Sequence, residues 1–206
     1  MNIVDWLQLL WQQLIDTDII QWIAIALSVA EVLLARGNNI LLYPAGVIAT
    51  FLSIFIFFES RLYAECLLNL YYVIMSGYGW WYWIKKKDQP PVKISRCDRK
   101  EWWVVVSIAF GGTGLLYLLL KYFMTLQYIA PSNVPLWDAW VSATAWAGMW
   151  LLARRKIENW ILLNISNAFA IPLLFYKQLP LYAALTIFLF IIAVQGYVKW
   201  KKLITE

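Results

Sequence analysis

The chain has 206 residues, of which 63% are hydrophobic, 14% are charged and 14 are Trp. Soluble domains run at about 45–50% apolar and about 25% charged, and a water-soluble core of this size has no way to hide the surplus; an ordinary soluble domain, a disordered chain and a fibre are excluded. The net charge of +5 raises nucleic acid as a partner, but the basic residues cluster at span ends instead, and the absence of His excludes His-ligated metals and His-based nucleophilic catalysis.

The first 18 residues contain IVDWLQLLWQQLI, too short and too mixed to cross a bilayer. They read as a helix lying in the interface, with Trp6 and Trp11 at headgroup depth. Three apolar segments follow at 19–35, 40–58 and 62–84, each near the length a spanning helix requires. They form a first bundle over 19–84. Residues 85–134 hold a basic loop and a linker span at 102–123. A second bundle, 135–206, has spans at 136–153, 157–175 and 180–199 and a basic end. The fold class expected is an all-α integral membrane protein of seven transmembrane helices.

With the N-terminus outside, fourteen of the seventeen basic residues fall on the inner side. They are Arg36, the run from Lys85 to Lys100, Arg154 to Lys156, and Lys199, Lys201 and Lys202; only Arg61, Lys121 and Lys177 fall outside. The positive-inside rule therefore sets N-out and C-in, and the basic balance needs no nucleic acid.

Three motifs return 118–120 residues apart: Leu33-Leu34-Ala35-Arg36 as Leu151-Leu152-Ala153-Arg154, Leu62-Tyr63-Ala64 as Leu181-Tyr182-Ala183, and Gly77-Tyr78 with Trp81 as Gly196-Tyr197 with Trp200. Three helices plus one linker are an even number of crossings, so the second bundle enters the membrane in the same sense as the first. Parallel repeats of this kind place substrate sites between the halves. Asn39 and Asn159 precede the second and sixth spans and read as N-caps. Pro44 and Pro172 lie inside spans and are candidate hinges or fixed kinks.

Polar residues inside spans mark either function or helix packing. Glu65, Asn69, Tyr72, Ser76 and Trp80 share one face of the third span, and Trp160, Asn164 and Asn167 one face of the sixth. The fifth carries Ser142, Thr144, Trp146 and Trp150 after Asp138, and the seventh has Gln195 at its inner end. No Lys or Arg falls near the middle of a span, so a phosphorylated cargo would go unpaired. The acids Glu31, Glu65 and Asp138 all read as lying near span ends, which disfavours a proton relay. A pocket of amides, hydroxyls and aromatic faces remains. It suits a small neutral or cationic ligand bearing amide and hydroxyl groups. No acid–base pair, nucleophile elbow or metal cluster points to an enzyme.

The stretch from Arg61 to Trp81 (RLYAECLLNLYYVIMSGYGWW), Trp137-Asp138-Ala139, the run from Leu151 to Trp160 (LLARRKIENW), and Gly196-Tyr197 with Trp200 together resemble the bacterial PnuC family of nicotinamide riboside transporters. The resemblance extends over nearly all of 19–202. It implies a SWEET-like seven-helix fold, a homotrimer in the inner membrane, and facilitated diffusion of nicotinamide riboside with intracellular phosphorylation trapping it. No cofactor or metal is implied. On that basis Trp160 and Trp146 are candidates to stack on the ring, Asn164 and Asn167 to bind the carboxamide, and Asn69, Tyr72 and Gln195 to bind the ribose hydroxyls. Thiamine or another vitamin or nucleoside on the same fold stays open as the alternative.

Overall fold

The computed structural model describes residues 3–59, 63–85, 93–126 and 134–205, without the side chains of 3, 57, 59, 63–68, 85 and 205. Glu65, singled out above, is therefore outside the described side chains, as is Cys66. The described residues are helical apart from short connections and one isolated bridge between Ser95 and Lys156. In chain order the helices are α1 (Ile3–Asp16), α2 (Ile19–Arg36), α3 (Leu42–Glu59), α4 (Tyr63–Lys85), α5 (Arg99–Val106), α6 (Gly112–Thr125), α7 (Pro135–Ala153), α8 (Asn159–Tyr176) and α9 (Pro180–Thr205). A π-helical turn, Ser107–Gly111, joins α5 to α6.

Every expected span is occupied by helix. Among the described residues, Ile19–Arg36, Arg99–Thr125, Asn159–Tyr176 and Pro180–Ile204 are long and apolar enough to cross a membrane, and Leu42–Ile56 is apolar but shorter. The outward surface carries Ile23, Phe51, Phe55, Phe110, Leu118, Ile187 and Ile191, all exposed. Such a surface is costly in water and at home in hydrocarbon. α7 is the inverse case: Ala139, Ala143, Ala147 and Leu151 repeat every four residues and are wholly buried. The small side chains let neighbouring helices close in, as membrane helix interfaces require; a Cβ on Gly112 would lie 3.3 Å from that of Ala143.

Helix starts follow local chemistry. Asp98 and Glu101 form a reciprocal capping box: Asp98 Oδ1 accepts from the Glu101 N–H at 2.7 Å and Glu101 Oε2 from the Asp98 N–H at 2.9 Å. A cap of this kind is worth about 1 kcal/mol. α7 begins on Pro135, whose missing N–H costs nothing in a first turn. Pro44 proves to be of the same type, standing in the first turn of α3, while Pro172 is inside α8. Asn39 Oδ1 accepts from the Leu41 N–H at 3.0 Å ahead of α3. Asn159 differs from its expected role. It is the first residue of α8, wholly buried, and its amide donates back to the Lys156 carbonyl at 2.6 Å.

α2, α3 and α4 pack in succession, as do α7, α8 and α9; the two sets meet through α4 against α7 and α2 against α9. α5 and α6 connect the sets and pack on α7. The α2–α3 and α7–α8 connections close in the same way. Asn38 (φ 54°) and Arg155 (φ 55°) are both left-handed and 117 positions apart. The Asn38 and Asn39 N–H groups donate to the Ala35 and Leu34 carbonyls, both at 2.9 Å, and those of Arg155 and Lys156 to the Leu152 and Leu151 carbonyls at 3.0 and 2.9 Å. This satisfies the last carbonyls of each helix.

Just beyond each connection an aromatic ring meets a tryptophan edge-on: Tyr43 with Trp83 at 5.1 Å, and Trp160 with Trp200 at 5.6 Å. A glycine floors each pair. A Cβ on Gly79 would fall 2.7 Å from Tyr43 Cζ, and one on Gly196 2.7 Å from Trp160 Cε2. Both pairs recur at 117 residues, whereas the sequence match set Gly77 and Trp81 against Gly196 and Trp200. A Cβ on Gly77 would touch nothing within 4 Å, so packing, not the matching letters, identifies the equivalent glycine.

Candidate functional site

Where the two helix sets face each other there is a cavity of about 310 Å³, within the range of small-molecule sites. α2, α3 and α4 supply its polar wall: Ser28 and Glu31, then Thr50 and Ser53, then Asn69 and Tyr72. The opposite wall is apolar, with Met149 and Leu152 of α7, Trp160 and Leu163 of α8, and Leu189 of α9. Neither α1, α5 nor α6 contributes, and no Lys or Arg is among the described lining residues.

Three hydroxyls on the polar wall bond back to their own helices. Ser28 Oγ donates to the Ala24 carbonyl at 2.9 Å, Thr50 Oγ1 to Gly46 at 2.7 Å and Ser53 Oγ to Ala49 at 3.0 Å. Each hydroxyl has thereby used its one proton and keeps oxygen lone pairs for acceptance. That wall is rich in acceptors and suits a ligand that brings donors or positive charge.

Glu31 lies near the end of its span, five residues before α2 ends at Arg36, and its side chain lines the cavity. Its carboxylate is packed on Gly46 of α3: a Cβ there would lie 2.5 Å from Cδ and 2.9 Å from Oε2. The glycine is what makes room for the acid.

Of the seven candidate residues, the structure brings Asn69, Tyr72 and Trp160 together on the cavity. Trp160 is 1% exposed, and among the described residues its indole N–H has no partner. Trp146 stands elsewhere: it stacks on Tyr71 at 4.4 Å, and its carbonyl accepts from the Tyr71 hydroxyl at 3.3 Å. Asn164 lines a separate side cleft of about 340 Å³ with Ile161, Val194 and Tyr197, to which Trp160 also contributes. Asn167 is half-buried and lines neither space. Gln195 is exposed and accepts from the Arg36 guanidinium, tying α9 to α2. Sequence reasoning passed over Ser28, Thr50 and Ser53 and did not assign Glu31 to the site. The available signal was spacing: Ser28, Glu31 and Ala35 share a helical face, as do Thr50 and Ser53.

The edge-on pairs adjoin one end of the cavity through Trp160 and Ala35, which line it. The Trp83 indole donates to the Ala153 carbonyl at 3.1 Å and the Trp200 indole to the Ala35 carbonyl at 3.1 Å. Arg155 lies over the Trp83 ring, 3.6 Å from its centroid. Burial pushes the Arg155 guanidinium down from its ordinary pKa, and the nearby Tyr43 hydroxyl opposes that shift. A strap over 93–98 crosses this end. Ser95 donates to the Arg155 carbonyl at 3.1 Å and accepts from the Ile157 N–H at 3.0 Å, and Lys156 pairs with Glu101 at 2.8 Å. In the strap the Cys97 N–H donates to Glu158 Oε2 at 3.0 Å. Burial, with the Glu158 carboxylate alongside, pushes the Cys97 thiol up to about 12.

The sequence profile of a family described as nicotinamide mononucleotide transporters matches residues 18–202. Two curated relatives, both named nicotinamide riboside transporter PnuC, come from Escherichia coli K12 and Shigella flexneri. Each is 24% identical over 204 residues, covering 88% of this chain and 85% of the relative. Among solved structures, the crystal structure of the vitamin B3 transporter PnuC superposes with a TM-score of 0.70 at 24% identity, over 98% of this chain and 91% of that one. The last comparison shows a shared fold.

Proposed function

Because the chain belongs to the nicotinamide mononucleotide transporter family and is a membrane transporter rather than an enzyme, we propose that it imports nicotinamide riboside across a bacterial inner membrane. The observation that carries the choice of cargo is the cavity, lined by both helix sets and, among the described residues, by no basic side chain. The family's description names the mononucleotide and the curated relatives are named for the riboside. They differ by a phosphate. Burying that phosphate without a cation would cost several kcal/mol, so the cavity favours the riboside.

In this reading α2–α4 and α7–α9 are two parallel three-helix units joined by α5–α6, with the N-terminus outside and the C-terminus inside, as the basic residues indicate. α1 lies in the interface. The recurring Tyr43–Trp83 and Trp160–Trp200 pairs support the duplication. They form the inner closure, and alternating exposure of the cavity moves the cargo down its gradient until intracellular phosphorylation traps it. The assembly is a homotrimer. Trp160 offers its ring to the nicotinamide, and Asn69 and Tyr72 serve the ribose hydroxyls or carboxamide. Trp146, Asn164, Asn167 and Gln195 are left out of the assignment because they do not line the cavity in this conformation.

The test is uptake into proteoliposomes. Riboside uptake should be saturable and need no pH gradient, and the mononucleotide should not be taken up. Asn69→Ala or Tyr72→Phe should lower uptake about five- to tenfold, the worth of one hydrogen bond, and Gln195→Ala by less than about twofold. Equal uptake of the mononucleotide would refute the reading, and thiamine outcompeting the riboside would replace its cargo.

A further inference from the structure

Resting on that function, we propose that Glu31 is the counter-charge for the cargo's ring cation, so that the cavity selects a fixed monocation over an uncharged molecule of the same shape. An acid within a spanning helix is costly and is kept where it meets a partner. Here the described residues provide none. Among the described residues the ion pairs lie elsewhere: Arg154 and Lys156 with Glu101, and Lys177 with Asp138. Arg36, on the same helix as Glu31, is engaged by Gln195, and Arg155 covers Trp83.

Among the described lining residues no cation neutralises the acid, and the wall around it favours an incoming positive charge. Gly46 gives the carboxylate its place against α3, and the Ser28, Thr50 and Ser53 oxygens add partial negative charge to the same wall. The ring nitrogen of nicotinamide riboside bears three bonds to carbon and has no proton to lose, so its positive charge is permanent. Trp160 on the opposite wall presents an aromatic surface that also favours a cation. The missing partner of Glu31 is therefore the cargo itself.

The discriminating pair is nicotinamide riboside and its reduced dihydropyridine form, which differ in ring charge and little in shape. Uptake of each by the full-length protein is measured in proteoliposomes clamped at zero potential, so that no field biases the cation. The wild type should have the lower KM for the cation. Glu31→Gln should raise that KM at least about tenfold, ~1.4 kcal/mol, and leave the KM of the reduced riboside within about twofold. Glu31→Asp should keep the preference. An unchanged ratio of the two KM values in Glu31→Gln would overturn the inference while leaving the proposed function standing. Loss of both cargoes in both variants would also overturn it, by making Glu31 a structural group. A wild type that carried neither riboside would bring down the function itself, and this inference with it.

Discussion

Trp83 and Trp200 make the same bond in opposite directions: the indole of α4 donates to Ala153 at the end of α7, and the indole of α9 donates to Ala35 near the end of α2, each at 3.1 Å. Both rings are buried, at 6% and 0% exposure. Each helix set is thus latched to the other through a carbonyl in the last turn of a helix, and that of Ala35 accepts from the Asn38 N–H as well. Trp83→Phe and Trp200→Phe should each cost about 1–3 kcal/mol, through loss of a buried hydrogen bond and part of a packed ring. Melting of the purified protein in detergent should show similar losses for the two variants. A large loss in one and none in the other would show that the latches are not equivalent.

The glycines beneath the latches give a prediction that separates packing from helix propensity. Gly79→Ala and Gly196→Ala each drive a Cβ into a ring, Tyr43 or Trp160, at 2.7 Å. Both rings are buried and have no easy retreat. Overpacking of this kind costs about 1–3 kcal/mol. Gly77→Ala meets open space and should be neutral or stabilising by up to about 1 kcal/mol. The same melting measurement checks all three.

Carrying a permanent cation makes transport electrogenic. Glu31 stays with the protein, so each full cycle moves one positive charge inward. An inside-negative potential of 100 mV contributes ~2.3 kcal/mol per charge, about fiftyfold in the equilibrium gradient. Riboside uptake should rise with a potassium diffusion potential set inside-negative and fall when it is reversed. Uptake indifferent to potential would mean that another charge moves with the cargo.

Cys97 supplies a pH test outside the membrane. A thiol held at about 12 carries about a thousandfold less thiolate at pH 8 than an ordinary cysteine. In a Cys66→Ser background, maleimide should label the folded protein slowly, and Glu158→Gln should speed labelling by removing a group that raises the pKa. Because the folded pKa is raised, the neutral thiol stabilises the fold fully below the ordinary cysteine range. That contribution is lost as pH rises through about 9 to 12. Fast labelling at pH 8 without denaturant would contradict the burial of this strap.

Hydrophobicity and charge are summed properties of segments, and they specify much of this protein. Runs of apolar residues set where helices lie, because a backbone in hydrocarbon has no other way to satisfy its hydrogen bonds. The strong family motifs, from Arg61 to Trp81 and from Leu151 to Trp160, were equally legible as sequence. What no segment carries by itself is which faces meet. Tertiary packing brought Asn69, Tyr72 and Trp160 to one cavity, sent Gln195 to Arg36 and Trp146 to Tyr71, and made Gly79, not Gly77, the counterpart of Gly196. It also made Glu31, near its span end, the acid of the cavity, since a helix face becomes a site only when the helices around it leave a space.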